Sequence, residues 1–523
     1  MSSLEQLEQN KVGLPWAVQK YGGTSIGKFL DVITSNIVKS YMSQHRVVVV
    51  CSARSGETKA TGTTHRLLRA AEEALKPGSK EYQSIVQDIT KDHLAAARLH
   101  IANPEILRET EREIETDCWK LRSFLEAAEI IDEVSPRSRD IIIGVGEKLS
   151  CRIVAAVLRD RHVDTEFISL ENIVDQDFAL DNLDQSFYDY LSERMATVVQ
   201  QCGNRVPVVT GFFSNVPGSL LTTIGRGYTD LCAALIAVGL SAEELQIWKE
   251  VDGIFTADPR KVPDARLLPI ITPEEAAELT YYGSEVIHPF TMEQVIRARI
   301  PIRIKNVENP RGRGTIIFPD SVSRNGIATP PHSPKVLLEN GYNFDLSRKH
   351  PTAVTIKDNV IVLNIHSNRK SVSHGFFAQI FRTLDKHGIV VDLISTSEVH
   401  ISMAFGADVP EKELEKALEE LRKLGTVDLM YNMAILSLVG KQMKNMVGIA
   451  GRMFSTLAAA RINIEMISQG ASEINISCVI EASCASRAIC AIHDTLLTLP
   501  ASAAAENPVE RIREEAVVNG GWH

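Results

Sequence analysis

Basic charge is in short supply in this 523-residue chain: 56 lysines and arginines stand against 66 aspartates and glutamates, a net charge of −10. Without a surplus of cations to neutralise phosphates, the composition argues against a nucleic-acid partner. Long apolar runs are missing as well. None approaches the roughly 20 residues of a membrane span, and the opening "MSSLEQLEQNKVG" lacks the apolar stretch of a secretory leader. The eight cysteines (Cys51, Cys118, Cys151, Cys202, Cys232, Cys478, Cys484 and Cys490) form no CxxC pair and lie among apolar neighbours. They read as reduced core residues in a cytosol-like compartment, not as a disulfide frame or zinc ligands. The 14 histidines form neither HxH nor HExxH, so no transition-metal site is expected. What remains is an ordinary globular composition, 44% hydrophobic and 23% charged, with length for roughly two to four domains.

The first informative stretch is "WAVQKYGGTSIGKF", residues 16–29. A strand feeding a glycine turn and then a helix offers backbone N–H groups to an anion. The lysine precedes the glycines, so the stretch is neither a Walker loop nor GxGxxG. On local pattern alone, a tight strand-to-helix turn is an equally good reading. Farther on, "RVVVVCSA", "RDIIIGVGEKLS", "NRVPVVTGFF" and "LQIWKEVDGIF" read as buried strands. "SIGKFLDVITSNIVKSYM", residues 63–131, "LSCRIVAAVLRD" and "LCAALIAVGL" read as helices between them. This alternation predicts an α/β fold with a mostly parallel sheet covered on both faces. Lys20, Ser52, Glu147 and Phe212 are thereby placed at or just after strand ends, where open α/β sheets hold ligands.

Beyond residue 318 the texture changes. "PDSVSRNGIATPPHSPK" has linker composition, and the chain after it repeats itself. "GFFAQIFRTLDKHGIVVDLIS" (375–395) aligns without gaps on "GIAGRMFSTLAAARINIEMIS" (448–468), with seven of 21 positions identical. Each copy reads strand, glycine, helix, strand, turn, strand: a small α+β module whose sheet pairs side by side with that of the other copy. The expected division is 15–319 for the α/β domain, 320–352 for a linker, 353–432 and 433–500 for the modules, and 501–523 for a tail.

The motifs "VQKYGGTS", "VVVVCSARSGET", "GVGEKLS", "TGFF", "TTIGRGYTDLCAAL", "EVDGIFTADPR" and "IRIKNVENPRGRGTII" occur in the order seen in aspartate kinases. The tandem modules resemble the ACT domains of the same enzymes. "GRGYTDLCAAL" with "YYGSEVIHPFTMEQVIRARIP" looks most like the fungal, single-function branch, and the resemblance spans roughly residues 15–500. It implies ATP-dependent phosphorylation of the L-aspartate side chain, with Mg2+ arriving on the nucleotide, and no dedicated metal site.

Joining two anions demands positive charge and orientation. The resemblance gives Lys20 to the transferring phosphoryl, with the Gly22 and Gly23 amides beside it and Asp230 orienting the lysine. Read alone, Asp230 is equally an N-cap of "LCAALIAVGL". Arg226 in "GRGYTD" suits a substrate carboxylate, since a guanidinium grips one with two parallel bonds. Glu147 suits the substrate ammonium, although a carboxylate at a helix start also serves the dipole. Thr24, Ser52, Thr58 and Phe212 complete the expected aspartate pocket; as isolated residues they are turn, cap or core residues. Lys249, Glu250, Phe255, Asp258 and Arg260 are expected at the nucleotide. Many bacterial relatives have Thr-Asp in place of Lys249-Glu250 and a lysine in place of Glu285, so Glu285 is left out of that set.

In the first module, Gly375, Phe376 and Phe377 offer amides at a helix start, and Asp392, Ser397 and Glu398 lie in sequence range of an amino-acid effector. In the second, Glu465 replaces the aspartate, and Asn463 and Gln469 shape the site. The resemblance favours threonine as effector and a homodimer or higher oligomer; a purely dimerising role for both modules stays open. So do two other functions: an acetylglutamate or glutamate kinase on a similar sheet, and a non-catalytic amino-acid sensor. The presence of Lys20, Arg226 and Asp230 disfavours the sensor. Length leaves no room after residue 500 for a fused dinucleotide-binding domain.

Overall fold

The apolar run Trp16–Tyr21 forms β1 and the β-branched run Arg46–Cys51 forms β2, in a computed structural model. The structure describes residues 7–56, 62–176, 178, 184–213, 216, 219–224, 227–281, 287, 289–317, 351–367, 375–397, 400–441, 443, 446–470 and 474–498. The tail expectation, and the linker expectation up to residue 350, fall on residues outside that set. The chain divides into two compact units. One comprises Met1–Ile254, Leu267–Ala277 and Val286–Asn343, the other Phe255–Arg266, Glu278–Glu285 and Phe344–His523.

The first unit is built on an eight-stranded sheet. Its remaining strands are β3 (Thr165–Leu170), β4 (Val206–Phe213), β5 (Glu244–Lys249), β6 (Ile270–Ile271), β7 (Ile302–Asn306) and β8 (Thr315–Ile317), in the order β3-β4-β2-β1-β5-β7-β8-β6. All pairings are parallel except β7 with β8. Valines 47 to 50 on β2 are fully buried because helices cover both faces. The early helices are α1 (Gly23–Val32), α2 (Val38–Met42), α3 (Thr63–Ala74), α4 (Glu81–His100) and α5 (Pro104–Ile131). They are followed by α6 (Pro136–Asp160), α7 (Gln185–Gln201), α8 (Leu220–Thr223), α9 (Tyr228–Gly239), α10 (Pro273–Tyr281) and α11 (Pro289–Arg297).

The stretch "RDIIIGVGEKLS" is not a strand. It lies inside α6, and Glu147 therefore sits mid-helix, not at a strand end. A helix buried all round carries the same apolar, β-branched run as a doubly covered strand, so periodicity cannot separate them. The signal that does is Ser135-Pro136: the Ser135 hydroxyl caps the Ser138 amide at 3.1 Å and Pro136 occupies the first turn. Gly144 and Gly146 are likewise not breaks. A Cβ on Gly144 would lie 2.5 Å from the Phe212 ring, and one on Gly146 3.0 Å from Ala53 and Leu67. These glycines let α6 approach the sheet closely.

The second unit contains one six-stranded antiparallel sheet, shared by both modules as the repeat predicts. Its strands are β9 (Ala353–Ser367), β10 (Val391–Thr396), β11 (His400–Gly406), β12 (Gly425–Val439), β13 (Met466–Ser468) and β14 (Asn475–Glu481), in the order β10-β11-β9-β12-β14-β13. Four helices complete the modules: α12 (Phe376–Lys386), α13 (Glu411–Leu421), α14 (Ile449–Ala459) and α15 (Ala485–Ile492). The glycine that leads each repeat caps its helix in the left-handed region, Gly375 at φ 90° before α12 and Gly448 at φ 83° before α14. That conformation accounts for a glycine at both positions.

The two modules are interleaved. The second half of β9 packs Ile361, Leu363 and Ile365 with α12 and α13, whereas Val354 and Ile356 pack with α14 and α15. Residues 353–357 pair with 435–439, so β9, which starts at the expected boundary of 353, serves both modules, and the division expected between 432 and 433 lies within β12. The segment 255–266 also belongs to this unit. Ala257 and Val262 enter the second module's core, the Thr256 carbonyl accepts the Val354 amide at 2.8 Å, and His493 Nε2 meets Thr256 Oγ1 at 2.9 Å. Among the described residues no helix is long and apolar enough to cross a membrane.

Candidate active site

Three neighbouring strand ends of the first unit start the site. β1 runs between β2 and β5, and Lys20 is its penultimate residue, aligned with Val50 and Ile247. The Lys20 ammonium reaches Asp230 Oδ1 at 2.7 Å, with both side chains largely buried. Asp230 lies in the first turn of α9, whose N-cap is Gly227. Its side chain pairs with the lysine, and no side chain caps the helix.

The turn between β1 and α1 has Gly22 as N-cap, with no side chain capping the helix. Its first-turn amides are thus left without an intrahelical or capping partner. Gly22 faces open space, whereas a Cβ on Gly23 would lie 2.1 Å from the Ala53 carbonyl oxygen. Glycine at 23 is therefore required by the chain leaving β2, which returns the contact by donating the Ser55 amide to the Gly23 carbonyl at 3.0 Å. Thr24 is half-buried in the first turn. Ser52 follows β2, half-buried, its amide bonded to the Tyr21 carbonyl at 3.1 Å.

Glu147 is 1% exposed. Burial pushes its carboxyl up to about 7, opposed by hydrogen bonds from Thr229, Tyr228 and the Phe212 amide and by the charge of Lys20. The Thr229 hydroxyl donates to Oε1 at 2.9 Å. Oε2 is buried without an aligned partner among the described residues. A buried carboxylate oxygen with no closely aligned donor, beside a lysine–aspartate pair, is suited to a ligand ammonium. Phe212, at the end of β4, is buried and packs edge-on against Tyr228 at 6.1 Å. Lys20, Asp230, Glu147 and Phe212 are thus brought together, with Thr229 and Tyr228 added. Sequence reasoning passed over those two although they lie inside the quoted "GRGYTD".

Lys249 ends β5 and Glu250 follows it, accepting a hydrogen bond from the Ser25 hydroxyl in α1 at 2.7 Å. That bond ties the expected nucleotide segment to the glycine turn. Phe255, Asp258 and Arg260 belong to the second unit, and the exposed Arg260 guanidinium forks Asp258 at 3.0 and 2.9 Å. Thr58 and Arg226 lie outside the described residues, as do Glu285 and Glu398. No cluster of three or more potential metal ligands occurs among the described residues.

In the second unit, Phe376 is buried at the start of α12 and Phe377 is exposed. Asp392 is buried on β10 and both its oxygens accept from Lys357 Nζ at 2.7 Å. The ammonium it meets is thus the chain's own. The Ser397 amide bonds the His400 carbonyl at 2.8 Å. Asn463 donates to Glu465 at 2.6 Å, and Gln469 is exposed.

The chain is similar to known proteins along most of its length. The amino acid kinase family matches residues 15–306, and the ACT domain matches residues 370–424 and 436–496. An aspartokinase of Schizosaccharomyces pombe is 59% identical over 497 residues, covering 95% of both chains. One from Saccharomyces cerevisiae is 53% identical over 499 residues, covering 92% of this chain and 93% of the other. Among solved structures, Escherichia coli aspartokinase III in complex with aspartate and ADP (R-state) superposes with a TM-score of 0.69 at 27% identity. That alignment covers 92% of this chain and 100% of that one. The same enzyme with lysine and aspartate (T-state) gives 0.71, also at 27% identity, covering 92% of this chain and 99% of that one.

Proposed function

Because the chain belongs to the amino acid kinase family, as one of its aspartokinases, we propose that it transfers the γ-phosphoryl of ATP to the side-chain carboxylate of L-aspartate. The products are 4-phospho-L-aspartate and ADP, the first step towards threonine, methionine and isoleucine. The carrying observation is the Lys20–Asp230 pair at 2.7 Å beside the buried Glu147.

The aspartate side chain is ionised at neutral pH, so the attacking oxygen needs no general base. One carboxylate oxygen forms the new P–O bond as the bond to ADP breaks. Lys20, oriented by Asp230, supplies charge as negative charge spreads over the moving phosphoryl. Glu147 receives the substrate ammonium on Oε2, and Arg226 clamps the remaining carboxylate. Lys249, Glu250, Phe255, Asp258 and Arg260 serve the nucleotide, together with the free amides after Gly22. Mg2+ arriving on the nucleotide would supply further positive charge at its phosphates.

The ACT modules carry feedback inhibition, with threonine as effector, and the enzyme works in the cytosol as a homodimer or larger assembly. Free thiols support the compartment, and the sheet edges of the modules support self-association. Light scattering that finds a monomer across micromolar concentrations refutes the assembly.

The experiment is a phosphorylation assay with labelled ATP and aspartate, glutamate or acetylglutamate in turn. Aspartate alone should accept. Lys20→Ala should lower kcat by about 10²-fold or more with little change in the KM for aspartate, whereas Arg226→Ala should chiefly raise that KM. Small, equal effects of both would reject the assignment.

A further inference from the structure

The loop between β4 and α9 contains Arg226, and the residues flanking it are tied to a single helix by two carboxylates. On the C-terminal side, Thr229 donates to Glu147 at 2.9 Å. On the N-terminal side the partner is Asp140, seven residues before Glu147 on α6 and so on the same face, two turns away. Asp140 is 5% exposed. Its Oδ1 accepts the Ser219 hydroxyl at 2.9 Å and the Leu221 amide at 3.3 Å, while its Oδ2 accepts the Leu220 amide at 2.5 Å.

All three donors belong to the residue before α8 and to its first two residues, so one buried carboxylate terminates that short helix and fixes its direction. A four-residue helix cannot hold itself in water, and a buried carboxylate survives only when hydrogen-bonded. Each therefore depends on the other. α8 ends at Thr223, three residues before Arg226, and α9 begins two residues after it.

We propose that Asp140 is a positioning residue for aspartate binding: by anchoring Ser219–Leu221 to the helix that carries Glu147, it holds α8, which ends three residues before Arg226 in the chain, in register with the ammonium acceptor. The proposal rests on the assignment of Arg226 and Glu147 to aspartate made above. Asp140 acts through α8, not by contact with either substrate.

The test uses the full-length enzyme and measures both KM values. Asp140→Asn is nearly isosteric but turns an NH2 group towards N–H donors. It should raise the KM for aspartate about tenfold or more, leaving the KM for ATP within about twofold. Ser219→Ala, which removes one donor and leaves Asp140 charged, should move the same constant in the same direction by less. In an Arg226→Ala background, Asp140→Asn should add little, because residues acting as one unit are not additive. Equal rises of both KM values, or an effect that persists undiminished in that background, would show a merely structural carboxylate and overturn the proposal. If Arg226→Ala alone leaves the aspartate KM unchanged, the reading of Arg226 fails. The aspartate-specific effect of Asp140→Asn and Ser219→Ala then still decides the role of Asp140.

Discussion

Two residues of the first unit hold charge where burial opposes it, and each makes a pH-dependent prediction. Glu147 is pushed up to about 7 from 4.5, so near neutral pH its empty site is partly protonated, and a bound ammonium must draw it to the ionised form. The KM for aspartate should therefore climb as the pH falls below about 7. Glu147→Gln should raise that KM at pH 8 and flatten its pH dependence; an unaltered profile in the mutant would remove Glu147 from the site. For stability the sign is the reverse of the usual carboxylate. The folded state holds the proton more tightly, so stability declines as the pH rises from 4.5 to about 7, by about 3 kcal/mol in all. Lys305 on β7 is the mirror case. Burial draws it down to about 8, with Arg303 adding repulsion. Its ammonium bonds the Tyr41 hydroxyl at 3.1 Å and lies 5.1 Å from the Trp248 ring centroid. Folding releases this proton, so stability should rise between pH 8 and 10.5. Lys305→Met should melt above wild type at pH 7, and the gap should narrow through that window; a constant gap would mean the charge is not the cause.

At the scale of elements, α6 positions most of the site: Asp140, Glu147 and the two glycines that bring it against the sheet. Gly144→Ala would force a methyl to 2.5 Å from the Phe212 ring. It should lower stability by about 1–3 kcal/mol and raise the aspartate KM, because the Phe212 amide and Glu147 share that contact. Gly22→Ala meets open space and should leave the melting temperature unchanged. Equal melting shifts in the two variants would refute this account of close packing. α6 is also the element that pattern reading lost. A run such as "IIIGVG" fits a strand by composition, and only the Ser-Pro start and the absence of a sheet partner make it helical. By contrast β1, β2, β4, β5, α9 and both repeat modules were legible, because their periodicity and glycine positions agree with their burial.

At the scale of the whole molecule, the chain is two units with separate cores, and the proposed effector binding belongs to the second. There Lys357 already occupies Asp392 with both hydrogen bonds at 2.7 Å. If the threonine ammonium takes the place of Lys357, the lysine competes with the effector. Lys357→Met should then lower the threonine concentration for half-inhibition, and Asp392→Asn should raise it several-fold, both with uninhibited rates near wild type. Titrations that shift in the same direction for both variants, or not at all, would leave Asp392 a packing residue and place the effector elsewhere. Inhibition itself requires different affinities for two states, not tight binding alone.

The sequence by itself determined the α/β alternation, the tandem repeat, the order of the motifs and the residue types needed to bring two anions together. These are local properties: strand burial, helical period, and glycine where φ is positive or the backbone is crowded. Only the tertiary structure decided that Glu147 reaches the site from mid-helix, that Asp230 grips Lys20 instead of capping α9, and that Asp140 anchors α8. It also decided that 255–266 completes the second module's core and that β9 serves both modules. Each of these is a contact between residues far apart in the chain. Local pattern carries no distance between them, and burial and hydrogen bonding select the partner only once the sheets and helices have assembled.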